Sequence, residues 1–510
     1  MEPITFQEKY LRASRVLTTA YLIAVCALLP LVFWQMYFDI TETKLAFFLG
    51  ASLLYLLLLL LARLFFPLDY GMKPEKIRLH PAAIALFLLA LCCCVGSALG
   101  GHLEDSVWGE NNRYQGIFTL LVYAGIVLTL AQQTIDPRLP LRALAFSAVP
   151  VCLLGVLNHF GVDPLGFFRD LAERDQGRFL STIGNANFYG SYLCMAVPAA
   201  VEVFLEAKRP RARVLSAILL VVVFFGTLVA GSDSTALGLV AVALLFPIGL
   251  LSDVIAMRRY LLALALFAFT ALAFGLLSRV LSSATFVSAF ALRFASLPVA
   301  GSALAAALLL WLLTRRICAE RLLRLRKPYW ITLLALVLLA AIALVLLNTA
   351  LSNVPLGGAA RYLRFSPSWG TDRGKIWMFV ARLYDRYTPL QHIFGAGPGA
   401  LVHADAMQRV FPDAALDTAH NEYLQYLLVS GALGLAAYLL ALGVALRSGI
   451  RKSALSPAAR GLTVALAAYA VQAVVNIAQP MSTPLAFLIV GVLVSRSPVP
   501  QNTEQTEQEE

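Results

Sequence analysis

Apolar runs of roughly 16 to 22 residues, about the length a transmembrane helix needs, follow one another along almost the whole chain and are separated by short polar segments. They lie near 16–38, 45–66, 81–99, 116–133, 143–160, 187–205, 214–231, 235–252, 260–281, 297–314, 329–350, 425–446, 462–479 and 483–495. The pattern predicts an all-α, polytopic integral membrane bundle of 12–14 transmembrane helices, with residues 1–495 as a single membrane domain. The first run ends in Trp34, Tyr37 and Phe38 and is followed by no small-residue cleavage site, so it reads as a retained span and not as a removed signal peptide.

Composition agrees with the pattern. The 510 residues are 60% hydrophobic and 14% charged, against about 45–50% and 25% for soluble domains. A soluble enzyme, a secreted disulfide scaffold and a single-pass receptor are thereby excluded. Six of the seven cysteines fall inside apolar runs and Cys318 sits in an Arg-rich loop, so no structural disulfide is expected. The net charge of +11 follows from topology. With the N-terminus inside, the inner segments hold about two thirds of the Lys and Arg, as the positive-inside rule requires. The clusters at 208–213 and 315–327 both land there, and nucleic-acid binding is not needed to explain the charge. Both termini are then cytoplasmic, and the polar stretch 496–510 reads as a disordered tail. No nucleotide-binding glycine loop is present, which disfavours an ATP-driven pump.

One connection, 351–422, is far longer than the rest and is expected on the outer side; loops of this length usually carry function. Within it Ile376, Phe379, Val380, Leu383, Tyr384 and Tyr387 recur at helical spacing, opposite Lys375, Arg382, Asp385 and Arg386, which predicts an amphipathic helix at the membrane surface. Gly395, Gly397, Pro398 and Gly399 predict a turn. Asp417 is expected to cap a helix starting near Thr418, which would place His420 in its first turn. There the helix dipole and nearby arginines disfavour the imidazolium, leaving a neutral ring able to accept a proton.

A second group of candidates precedes the sixth span: Arg178, then Gly184-Asn185-Ala-Asn187, a guanidinium beside a helix start whose donors suit an anion. Arg373, in Trp369-Gly-Thr-Asp-Arg373-Gly-Lys375, and Arg113, in Trp108-Gly-Glu-Asn-Asn-Arg113, share that style on the same side, where basic residues are few.

Together these features resemble the O-antigen ligase superfamily, which includes the related polysaccharide polymerases. The carriers are the Arg178 to Asn187 segment, Arg373 with Trp377, the Gly395-x-Gly-x-Gly399 turn, and His420-Asn421-Glu422-Tyr423-Leu424 leading to Gly431 and Gly434. The resemblance covers about residues 108–445, with 214–446 as its core. It implies a glycosyltransferase of the bacterial cytoplasmic (inner) membrane that takes an undecaprenyl-diphosphate-linked glycan as donor and a glycan, lipid or protein as acceptor. By the same resemblance Arg178 and Arg373 hold the diphosphate, with Arg113, Asn185, Asn187 and Asn421 as further contacts. His420 deprotonates the acceptor, and neither cofactor nor metal takes part. Ala186 replaces the family's Pro, and an Arg usual near the end of the seventh span is absent from Gly231-Ser232-Asp233-Ser234. Ligase and polymerase stay undivided at this level. A lipid-linked glycan flippase or transporter is the reading from another class, disfavoured because the span middles are nearly free of charge.

Overall fold

The computed structural model describes residues 5–66, 77–110, 112–404 and 417–497. Fourteen apolar helices form the body of the protein: α1 (Phe6–Ile23), α2 (Ile40–Phe65), α3 (Pro81–Gly100), α4 (Ile117–Gln132), α5 (Arg138–His159), α6 (Ala186–Glu206), α7 (Pro210–Leu228), α8 (Asp233–Leu250), α9 (Val254–Val280), α10 (Leu297–Thr314), α11 (Arg326–Asn348), α12 (Glu422–Ser453), α13 (Pro457–Gln472) and α14 (Thr483–Val494). Twelve of them are long and apolar enough to cross a membrane; α4 and α14 are shorter. The all-α polytopic bundle expected from the sequence is the architecture observed. Among the described residues the only strands are Phe179–Leu180 and Gly184–Asn185, paired antiparallel.

The helix ends gather on two faces, as alternate crossings require. On one face Arg142 lies 3.9 Å from Glu206, Arg259 donates to the carbonyl of Leu205, Lys452 donates to that of Ser495, and Arg496 pairs with Thr134. This basic face therefore holds the start of the tail expected at 496–510; from 498 onward the tail lies outside the described residues. On the opposite face, the loop face, Tyr114 donates to Glu42 at 2.7 Å, Ala284 to the carbonyl of His159, and Ser106 to that of Pro398.

Burial is uneven. Helix α6 is almost entirely enclosed by α5, α7, α8 and α13. Its Gly190 and the Gly238 of α8 permit the approach, since a Cβ at either would overlap Thr235 or Cys194. The carboxylate of Glu202 on α6 is paired at both oxygens by Arg460 of α13, at 2.6 and 3.0 Å, the geometry that makes a buried charge tolerable. Helix α11 lies at the periphery with no buried residue, and α10 buries only Ala300, Ala307 and Thr314. All seven cysteines are unpaired.

Candidate active site on the loop face

The long connection folds as its periodicity predicts. The helix Trp369–Asp385 buries Ile376, Phe379 and Val380 and leaves Lys375, Arg382, Asp385 and Arg386 exposed. A second helix, Pro389–Phe394, starts with a capping box between Thr388 and Gln391. The glycine turn follows with φ of +77°, +87° and +92° at Gly395, Gly397 and Gly399. Its purpose is visible in α12, which kinks at Gly431 (φ +66°). The carbonyls of Leu428 and Val429, next to the kink, accept the N–H groups of Ala396 (2.9 Å) and Gly397 (3.0 Å). Side chains at these glycines would run into α3 and α12: a Cβ on Gly397 overlaps Ser97, and one on Gly395 overlaps the backbone of α12.

The start of α12 corrects the sequence reading. Its cap is Asn421, whose side chain accepts from the N–H groups of Tyr423 (3.0 Å) and Leu424 (3.1 Å); Asp417 instead lies 2.9 Å from Nε of Arg113. Both residues are Asx types ahead of an apolar run, so local spacing does not separate them. Tertiary pairing with Arg113 decides which one is free to cap. Asn421 is thus a capping residue, with its side-chain carbonyl oxygen engaged by the helix start. His420 consequently stands just before the helix rather than in its first turn, at φ +48°, a left-handed conformation that a non-glycine residue holds only when its surroundings impose it.

Those surroundings are specific. The backbone of Ala419 is gripped from both sides: its N–H donates to Gln425 Oε1 at 2.9 Å, and its carbonyl accepts Trp377 Nε1 at 3.0 Å. Gln425 in turn donates to Glu110 Oε1 at 3.0 Å, and the same oxygen accepts the N–H of Gly399 at 3.0 Å. Glu110 is buried, and burial pushes its carboxyl upward, with Asp417 adding to the shift and Arg113 opposing it. A relay from Glu110 through Gln425 to Ala419 therefore sets the segment that presents His420. Sequence reasoning missed Glu110 and Gln425, because they lie 315 residues apart and carry no local signature of partnership.

The imidazole of His420 has no hydrogen-bond partner among the described residues. Burial is the main cause that lowers its pKa to about 4, followed by the positive charges of Arg373 and Arg113. The ring is therefore neutral at pH 7; the arginine charges expected from sequence contribute, but burial is the larger cause. Arg373 donates to the carbonyl of Gly370 at 2.8 Å, and its Nε is buried without a partner. The residues before it, Gly370, Thr371 and Asp372, all take positive φ. Burial disfavours the Arg373 charge, a condition that an incoming anion relieves. Arg113 sits between Asp417 and the ring of Phe188, 5.4 Å from its centroid. Phe365, Trp369 and Trp377 form an aromatic cluster beside Arg373, with centroid separations of 5.1 to 6.3 Å.

The 178–187 segment is built differently. The Arg178 side chain is mostly exposed, its Nη1 3.8 Å from Asp175, and it is not among the charges that act on His420. Asn185 caps α6 by accepting from the N–H of Asn187 at 2.9 Å. Asn187 Oδ1 accepts the hydroxyl of Ser232 at 2.6 Å. Ser232 meets Ser234, Gln472 donates to Ser234 and accepts from Ser191, and Asn476 donates to Ser191 and to the carbonyl of Asn187. This polar network ties α6 to α8 and α13. Its members beyond Asn187 were missed from sequence, although polar residues inside apolar runs are a legible sign of helix-to-helix contact.

Two pairs close in sequence on this loop, His403 with Asp405 and Asp413 with Asp417, involve Asp405 and Asp413, which lie outside the described residues. His403 instead contacts Asp105 at 3.0 Å. Among the described residues no three His, Cys, Asp or Glu side chains gather as a metal ion would need. No family model matches the chain, and no curated protein is significantly similar to it in sequence. What the site does has to be read from its chemistry.

Proposed function

We propose that the protein is a membrane glycosyltransferase that moves a glycan from an undecaprenyl-diphosphate-linked donor to an acceptor hydroxyl at the outer face of a bacterial cytoplasmic membrane. The observation that carries this reading is a neutral imidazole with no hydrogen-bond partner among the described residues, held in a strained conformation by a dedicated relay and acted on by the charges of two arginines, of which Arg373 has a buried donor to spare. Such a pairing suits group transfer from a diphosphate. The acceptor hydroxyl loses its proton to His420 and its oxygen attacks the anomeric carbon. The bond from that carbon to the diphosphate oxygen breaks, and undecaprenyl diphosphate leaves with its negative charge held by Arg373 and Arg113. Arginines in this role supply the charge stabilisation that a divalent cation supplies elsewhere.

A histidine with a pKa of about 4 is neutral but a weak base. Donor binding corrects this: the diphosphate offsets the two guanidinium charges and raises the proton affinity of the ring just when the acceptor is in place. Arg178, exposed on the same face, is assigned to initial capture of the anion. The transporter reading lacks a path. Among the described residues, the buried Lys and Glu side chains of the spans are already committed: Glu202 to Arg460, Lys44 to the carbonyls of Leu29, Pro30 and Val32, and Glu422 to Tyr438 and Tyr469; the buried His159, with Nδ1 on Thr285 and Nε2 unpaired, stands at the very end of α5 and not in mid-span.

The test is reconstitution of the full chain with labelled undecaprenyl-diphosphate glycan and a panel of hydroxyl acceptors, in the presence of EDTA. The expected outcome is one released undecaprenyl diphosphate per glycan transferred. Movement of intact donor across the bilayer with no such release would identify a transporter.

A further inference from the structure

Away from the loop face, a cavity of about 630 Å³ lies on the opposite side of the molecule, between α1 with its continuation Ala24–Leu28 and α5. The continuation is a π-helix, a widened turn that recurs at functional positions. One wall is formed by Ala27, Leu28 and Leu31, the other by Ala143, Phe146 and Pro150. The two helices meet where Ser147 donates to the carbonyl of Cys26 at 3.1 Å, and the small residues Ala27 and Ala143 leave the space open beside that contact. At its end on the basic face the cavity is lined by Arg138, Arg142 and Asp136.

Charge is divided along this groove as it is along a phospholipid. From Arg138 to Pro150 the helix rises roughly 18 Å, comparable with one leaflet of a hydrocarbon core about 30 Å thick. The deeper lining named above is apolar, apart from the satisfied Ser147. At the mouth, Arg138 has no side-chain partner among the described residues, and Arg142 has only the distant carboxylate of Glu206 at 3.9 Å. Asp136 opposes them in part, but its Oδ1 already accepts the N–H of Arg138 at 3.0 Å. Two guanidinium groups with spare donors at a membrane surface suit a phosphate. A zwitterionic lipid brings a cation to the same place and gains less.

We propose that this groove is a binding site for one anionic phospholipid, with Arg138 and Arg142 on its phosphate and an acyl chain laid between α1 and α5. The site is independent of the transfer chemistry on the loop face. The bound lipid fills the space beside the π-helix and fixes the first helix against α5.

The experiment is native mass spectrometry of the full-length protein titrated with phosphatidylglycerol and, separately, with phosphatidylcholine. A first phosphatidylglycerol bound on the order of tenfold more tightly than phosphatidylcholine is expected. The double variant Arg138→Ala/Arg142→Ala should bring that ratio close to one, while Arg138→Lys/Arg142→Lys should keep most of it. Ala143→Phe, which fills the groove and leaves both charges, should weaken both lipids. Arg321→Ala/Arg324→Ala, in another basic loop, should leave the ratio unchanged. An unselective wild-type protein, a preference that survives in the double alanine variant, or an equal loss in the 321/324 variant would each overturn the proposal. Thermal unfolding of every variant in the same detergent separates loss of the site from loss of the fold, and Ala143→Phe binding as well as wild type would overturn it on its own.

Discussion

Two segments of the loop face carry similar polar residues and use them in opposite ways. In 369–421 the reactive groups are kept free. Among the described residues His420 has no hydrogen-bond partner and is strained, Arg373 has a buried Nε with nothing to bind, and the hydrogen bonds of the region go to the backbone around them, through Trp377, Gln425 and Glu110. In 178–187 the asparagines are consumed: one caps a helix and the other anchors a network that joins three spans. An arginine near glycine and asparagine at a helix start is therefore not by itself an anion site. What distinguishes the two segments is that the first buries a donor, Arg373 Nε, without a partner among the described residues, and that costs stability unless a ligand is to come.

The sharpest break of this comparison is at His420. His420→Ala should lower turnover by roughly 10²–10⁴-fold, the usual worth of a positioned base, while leaving affinity for the lipid-linked donor nearly unchanged in a direct binding assay. Next are the two arginines. Arg373→Gln or Arg113→Gln should weaken donor binding roughly ten- to hundredfold, the value of a charge-assisted contact. Arg373→Lys should recover only part of it, because the planar fork is lost. The other segment should respond in stability: Asn187→Ala removes the acceptor of the Ser232 hydroxyl and is expected to cost about 1 kcal/mol, read as a lower unfolding temperature, with donor affinity of the folded protein intact. Arg178→Ala should have the smallest effect, less than about fivefold on donor affinity, as expected of an exposed charge. An Arg178 effect as large as that of Arg373 would place both segments in one site and dissolve the distinction.

Much of this was legible beforehand, and the exceptions have a common origin. Apolar run length gave the fourteen helices, because backbone groups in a bilayer leave few alternatives to a helix. The amphipathic helix and the glycine turn followed from local spacing. The candidate histidine stands out for the same reason, since it lies beside a helix start marked by Asx residues. Its helix cap was misplaced by four residues because Asp417 is withdrawn by Arg113, a partner from the far end of the chain. Glu110 and Gln425 were invisible for the same reason. Depth in the bundle was also hidden from simple hydropathy: α11 is the most apolar of the twelve long helices and the least buried, whereas α6 and α13 are among the least apolar and the most enclosed. Lipid selects apolar surface, so the interior is where polar residues such as Ser191 and Gln472 can be satisfied.

If His420 works as a base whose proton affinity is set by its burial and by the two arginines, the pH dependence of turnover will report it. Its folded-state pKa is lowered from 6.5 to about 4, so kcat/KM, which reports the free enzyme, should stay level from pH 7 down to 5 and fall with a midpoint near 4. The acid limb of kcat should lie higher, since bound diphosphate cancels part of the arginine field. In Arg373→Gln the limb of kcat/KM should move upward toward the ordinary histidine value. A limb that ignores Arg373→Gln, or that persists unchanged in His420→Ala, would contradict the assignment.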